Sequence, residues 1–314
     1  MRMSIVLATD SWATILPVIR RLEEQTIRDE IEIVLVLPSA DAETIDVENL
    51  REFAQVRLVG VESIIPLGPA RAAGVRAATA PLVFIGETHS FPHPDMVRVL
   101  VDAHERGWTV IVPAFHNANP DGAPSWAGFL AGYAAWTDGL PAGEIRNAPL
   151  FNVSYRRSFL LDLGDGLARV LTEGEDMMAA LRERGGRIWF EPGARVDHAN
   201  LSFLGPLLHQ RFIAGRVIAG ARGAGWPWPR RLAYALGSPL IPIVLLARHR
   251  RGIARTIRRR RPPSGTLPVL ILGSILEAAG EMLGYAHGEG STTRARYDAL
   301  EVHRLTHTAA GIGR

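Results

Sequence analysis

Over the first 190 residues, short apolar runs alternate with stretches of helical period. "SIVLA" is a continuous apolar run of strand length. Ile15, Val18, Ile19 and Leu22 then recur at helical spacing, and "IEIVLVL" is the next strand. "QVRLVG" predicts a short third strand, "PARAAGVRAA" a helix opened by Pro69 near its first turn, and "PLVFI" a buried strand. "HPDMVRVLVDAHERG" reads as a helix and "TVIVPA" as another strand. Residues 114–149, rich in Gly, Pro, Ala and aromatics, read as a long surface excursion. "RIWFEP" closes the series as a strand. This rhythm predicts an α/β fold with an open, mostly parallel sheet flanked by helices.

After Phe190 the pattern changes. "LSFLGPLLHQRFIAGRVIAGARGAG" predicts a long helix ending in Gly, and "WPWPRR" a linker. The apolar run Leu232–Ala247 follows, broken by Pro239 and Pro242, and then an Arg block and "LPVLILGSILEAAGEMLGY". Neither apolar run reaches the roughly 20 uninterrupted residues that a spanning helix needs, so the expectation is a helical tail lying in a membrane interface. The expected domains are 1–225, carrying the sheet, and 226–314, helical and membrane-associating. A helical subdomain with a solvated Arg face is the other reading of the tail.

Composition sharpens this picture in two places. The chain has no Cys and no Lys, which excludes disulfides, thiolate nucleophiles, Cys-ligated zinc and Schiff-base chemistry; a metal would rest on carboxylates and imidazoles. The net charge of +3 hides a segregation: residues 230–261 contain 10 Arg and no acid, leaving 25 basic against 32 acidic residues elsewhere. Such a block suits a polyanionic partner, and its apolar neighbours, flanking Trp residues and lack of interleaved aromatics point to an anionic membrane surface and not to nucleic acid. "MRMSIVLATD" reads as a strand and not a cleavable signal, which places the amino-terminal part in the cytoplasm.

Candidate chemistry begins at "FIGETHSFPHP", where a buried strand gives way to Glu87, Thr88 and His89. An acid and an imidazole two residues apart converge on one ion if the loop turns, whereas a solvated loop explains them equally simply. In "EGEDMMAALRERGGRIWFEPGARVDHAN", Glu173, Glu175 and Asp176 open a helix, where carboxylates cap and favour the dipole. His198, taken alone, is a structural or surface histidine; only its place relative to Glu87 and His89 would make it a ligand.

Taken in order, four segments resemble the family 2 glycosyltransferases, whose catalytic domain has the GT-A, Rossmann-like fold. They are "MSIVLATDSWATILPVIRRLEEQT", "PARAAGVRAATAPLVFIGETHSFPHP", "LFNVSYRRSFLLDLG" and "GEDMMAALRERGGRIWFEPGARVDHAN", and the resemblance covers roughly residues 3 to 222. It implies transfer of a sugar, with inversion, from a nucleoside diphosphate donor to a hydroxyl of a lipid-linked or surface-glycan acceptor at the cytoplasmic membrane face. Glu87 and His89 stand where the family has Asp-x-Asp, and His198 is implied as the third ligand of a divalent ion. An imidazole ligand favours Mn²⁺ over Mg²⁺. Asp176 is implied as general base with Glu175 beside it. Thr9 and Asp10 are implied beside the nucleoside, and Arg71 near the base or diphosphate. The departures are Pro38-Ser39, with Asp41 beyond, where the family has a nucleoside-holding Asp; Arg71-Ala72 for Arg-Asn; and an acid three residues past Phe84 instead of two. These leave a second implication open, a non-catalytic glycan- or nucleotide-binding module of the same fold.

Overall fold

A computed structural model describes residues 1–42, 45, 50–172 and 174–309, apart from the side chains of 174–176. In chain order the elements are β1 (Met3–Ala8), α1 (Trp12–Glu23), β2 (Ile31–Pro38), α2 (Ser39–Ala42), β3 (Gln55–Val61), α3 (Leu67–Ala77), β4 (Leu82–Ile85), β5 (Ser90–Pro92), α4 (Met96–Glu105) and β6 (Val110–Asn117). There follow α5 (Ala123–Tyr133), β7 (Gly143–Ile145), β8 (Val153–Arg156), α6 (Arg157–Leu161), α7 (Leu167–Val170), α8 (Gly174–Glu183), β9 (Ile188–His198), α9 (Leu204–Arg222), α10 (Trp228–Gly237), α11 (Ile241–Arg260), α12 (Thr266–His287) and α13 (Thr293–Val302). By packing the described residues form two compact units, one within 1–116 and 136–198, the other within 117–135 and 199–309.

The first unit is built on a sheet of order β3-β2-β1-β4-β8-β6-β9-β5, with β7 paired to β9. β3, β2, β1 and β4 run parallel, whereas β8 pairs antiparallel with both β4 and β6, and β9 antiparallel with β5 and β7. All six residues of β1 are buried, as a strand covered on both faces requires. Buried Glu32 of β2 ties the sheet: its carboxylate accepts from Ser4 Oγ, from Thr79 N at 2.7 Å and Oγ1 at 3.0 Å, and from Arg57 Nε at 3.3 Å. Burial pushes this acid up, and these four donors reverse the effect and hold it below the usual carboxylate range.

α1 forms where its spacing predicted, with Ile15, Val18, Ile19 and Leu22 buried and Ser11 capping it through Thr14 N at 3.3 Å. Two elements differ from expectation. The excursion of 114–149 contains the helix α5, whose Gly, Pro and Ala content masks its period. The strand begun at "RIWFEP" runs on to His198, because pairing with β5 carries it past Pro192 and Gly193.

The second unit centres on α9 packed against α12, with α5, α10, α11 and α13 around them. Two helix backbones approach this closely only where side chains are missing. A Cβ on Gly215 would run into the carbonyl oxygen of Glu277, and one on Gly280 into that of Phe212. Trp228–Arg260 and Thr266–His287 are long and apolar enough to cross a membrane by length and composition, so the helical runs here are longer than the prolines suggested.

Gly280→Ala is therefore expected to destabilise the protein by about 1–3 kcal/mol through overpacking. Gly273→Ala, in the same helix but with its nearest neighbour the flexible Arg211 side chain at 3.4 Å, should be neutral or stabilising. Chemical denaturation of the two variants checks the contrast.

Candidate metal and donor site

The site lies at the carboxyl ends of adjacent parallel strands. β1 and β4 are in register from Met3↔Leu82 to Val6↔Ile85, and Gly86 extends the pairing by donating its N–H to Val6 O at 3.0 Å. Glu87 is thus the first residue to leave the sheet, which accounts for its extra step beyond Phe84. The chain then turns into β5, whose Ser90 pairs with His198 of β9.

That pairing brings together the three residues singled out from the sequence. Ligand atoms of Glu87, His89 and His198 lie within 4.8 Å of one another. Glu87 Oε2 stands 3.5 Å from His89 Nε2 and 3.6 Å from His198 Nε2, and the two imidazoles meet edge to face with centroids 4.8 Å apart. Ligands about 2.1 Å from a tetrahedral ion stand roughly 3.4 Å from one another, so both carboxylate-to-imidazole separations fit a shared ion. With exposures of 8%, 1% and 2% for Glu87, His89 and His198, the solvated-loop reading is set aside.

A buried carboxylate needs partners. Burial pushes the Glu87 acid up, but the charge of His89, the hydrogen bond and charge of His198 and the Arg71 guanidinium outweigh it and hold the group far below the usual carboxylate range. Ser90 Oγ donates to Oε2 at 3.4 Å, and Asn152 Nδ2 donates to the same oxygen. Asn152 precedes β8 in the left-handed region, φ 58°, with its own N–H bonded to Ile85 O at 2.7 Å. Asn is among the few side chains that occupy this conformation readily. Buried Arg71, on α3, lies over the Phe151 ring at 3.5 Å, a cation–π contact that fixes where its charge points.

Thr9 and Asp10 stand at the end of β1, one strand from Glu87. Thr9 is buried, with its N–H on Val36 O at 2.9 Å and its hydroxyl donating to Ser11 O at 2.9 Å. Asp41 lies in α2, directly after β2. The expected base Asp176 and its neighbour Glu175 fall in α8, but their side chains lie outside the described residues. Sequence reasoning missed Asn152 and Phe151: "LFNVSYRRS" was singled out, but nothing local marks those two residues as reaching Glu87 and Arg71. It also missed a second cluster, His93, His116 and Asp197.

No family model matches the chain, and no curated protein matches it. Among solved structures, it is similar to GalNAc-T7 crystallised with UDP, GalNAc and Mn²⁺, at 15% identity over 63% of this chain and 43% of that one, TM-score 0.46. It is similar to S. aureus TarS at 17% identity over 70% of this chain and 39% of that one, TM-score 0.44. For the 1–349 portion of S. aureus TarS in complex with UDP the values are 14% identity, 95% and 92% coverage and TM-score 0.48. The chain spans less than half the length of the first two. At these identities and scores, the function rests on the site itself.

Asn152→Ala should cost about 2–4 kcal/mol, combining loss of a hydrogen bond to a buried charge with a Cβ in the left-handed region. Asn152→Gly should cost about 1 kcal/mol less, because only the first loss remains. Thermal or denaturant unfolding of the pair checks the order.

Proposed function

We propose that the protein is an inverting glycosyltransferase of the GT-A type, moving a sugar from a nucleoside diphosphate donor to a hydroxyl of a lipid-linked or surface-glycan acceptor at the cytoplasmic membrane face. The observation that carries this reading is the buried Glu87, His89 and His198 cluster, set at the carboxyl ends of β1 and β4, where open α/β sheets bind their ligands. The ordered sequence resemblance to family 2 supports it.

In this reading Glu87, His89 and His198 hold a divalent ion, and two imidazoles in the set favour Mn²⁺ over Mg²⁺. When bound, such an ion supplies positive charge against the leaving diphosphate. Asn152 and Ser90 orient the Glu87 carboxylate. Arg71, steadied by Phe151, offers a guanidinium to the base or diphosphate of the donor, and Thr9 and Asp10 line the nucleoside side. Asp176 takes the acceptor proton as general base, while Glu175 serves the helix start.

The helical region supplies the membrane contact. Only 11% of the apolar window within Trp228–Arg260 is buried, and Trp228, Leu236, Leu240 and Ile243 each keep more than 60% of their surface exposed. α11 runs from an apolar start into Arg248, Arg250, Arg251, Arg255, Arg258, Arg259 and Arg260. Apolar side chains next to a basic run suit a helix lying on an anionic surface.

A screen of nucleotide sugars for release of nucleoside diphosphate in the presence of Mn²⁺ tests the activity. Release should stop in excess chelator and in Glu87→Ala. Asp176→Asn should lower transfer by about 10² to 10⁴ while keeping donor affinity. Full turnover in chelator, near-normal turnover in Asp176→Asn, or donor binding with no release in any case would each defeat the proposal, the last in favour of a binding module.

Flotation with vesicles containing anionic lipid tests the location. Each basic side chain near such a surface contributes about 1 kcal/mol, so binding should weaken with salt and with Arg→Gln changes at Arg250, Arg251, Arg258 and Arg259. Absence of binding at low salt contradicts a peripheral location, and protease protection of a loop on the far side replaces it with a spanning one.

A further inference from the structure

The last two residues of β9, Asp197 and His198, are chain neighbours and so project to opposite faces of the strand. The burial pattern follows: Ala194, Val196 and His198 are buried, while Arg195 is exposed and Asp197 half-buried. His198 belongs to the site described above. On the other face, Asp197 meets two histidines that the proposed chemistry does not use.

His93 follows β5 and is placed by its N–H, which bonds Arg195 O at 3.0 Å and prolongs the β5–β9 ladder. Its Nε2 lies 3.0 Å from Asp197 Oδ1. His116, near the end of β6, sets Nδ1 at 3.7 Å from the same oxygen, and the two imidazole rings stand 5.7 Å apart at 66°. Ligand atoms of all three lie within 4.8 Å of one another, and the side chains of His93, His116 and Asp197 are 35%, 20% and 39% exposed, within reach of solvent.

Asp197 Oδ1 thus faces two imidazole nitrogens at once, His93 Nε2 within hydrogen-bond length and His116 Nδ1 beyond it. The separations of 3.0 and 3.7 Å bracket the roughly 3.4 Å between ligands of a tetrahedral ion. Two imidazoles and one carboxylate make a donor set for a borderline transition ion, and exposure leaves room for water at a fourth position.

We propose that His93, His116 and Asp197 form a second site for a divalent transition ion, back to back with the Glu87, His89 and His198 cluster across β9. Because its ligands come from β6, β9 and the residue after β5, a bound ion would cross-link three strand ends. The inference stands on its own geometry and does not depend on glycosyl transfer.

The test is Zn²⁺ binding to the full chain after chelator stripping, by equilibrium dialysis, with Co²⁺ as a spectroscopic probe. In Glu87→Gln/His198→Ala, one equivalent should remain, with a visible Co²⁺ band of nitrogen and oxygen ligation and a melting temperature raised by Zn²⁺. Adding His116→Ala to that background should abolish all three signals. Asp197→Asn, which keeps the size of the side chain, should do the same if His116→Ala fails to fold. Absence of a bound equivalent in Glu87→Gln/His198→Ala overturns the proposal, as does an equivalent that survives both His116→Ala and Asp197→Asn.

Discussion

Glu87 is an ionised group taken almost wholly out of water, and the sheet edge around it is arranged by what that requires. An isolated buried charge costs several kcal/mol, so it persists only with partners that favour its ionised form. Here they come from far apart in the chain: His89 from the turn itself, Ser90 from β5, Asn152 from before β8, His198 from the end of β9 and Arg71 from α3. Each is fixed in turn by something else. Asn152 is held by its left-handed backbone and the bond to Ile85, and Arg71 by the ring of Phe151. The residues before β8 are therefore as much a part of this edge as the residues after β4.

Much of the first unit was legible in the sequence because its central strands are buried on both faces, and a continuous apolar run has few other readings at that length. β1, β2 and β4 are of this kind, and α1 announces itself by its period. Elements that depend on a distant partner were less readable. β9 passes through Pro192 and Gly193, which lower strand propensity, and only the pairing of Ser90 with His198 shows that the histidine is a strand residue. The same holds for the cluster. Glu87 and His89 carry a local signal in their spacing, His198 could be placed only through the order of elements, and Asn152 carried no signal, because its reach to Glu87 depends on a backbone conformation and a neighbouring strand.

The Arg block is one feature of the sequence, and in the second unit the structure sets it apart from the other arginines. Three buried acids of that unit pair with arginines outside the block: Glu277 with Arg211, Glu281 with Arg222 and Glu301 with Arg304. The basic half of α11 follows directly on its apolar half. Charge segregation in the sequence thus corresponds to a separation in the structure, with Arg211–Glu277 and Arg222–Glu281 joining α9 to α12 and the basic run gathered on α11.

The register of β9 against β5 has a consequence for how this chain tolerates change. Side chains of a strand alternate with a period of two, so losing or gaining one residue between Ile188 and Val196 would turn Asp197 inward and His198 outward without altering either residue. Both His-carboxylate clusters would be dispersed together, although every side chain in them was intact. Substitutions along this strand are graded in effect, whereas a change in its length is all or nothing, and the stretch from Ile188 to His198 is better regarded as a ruler than as a string of contacts.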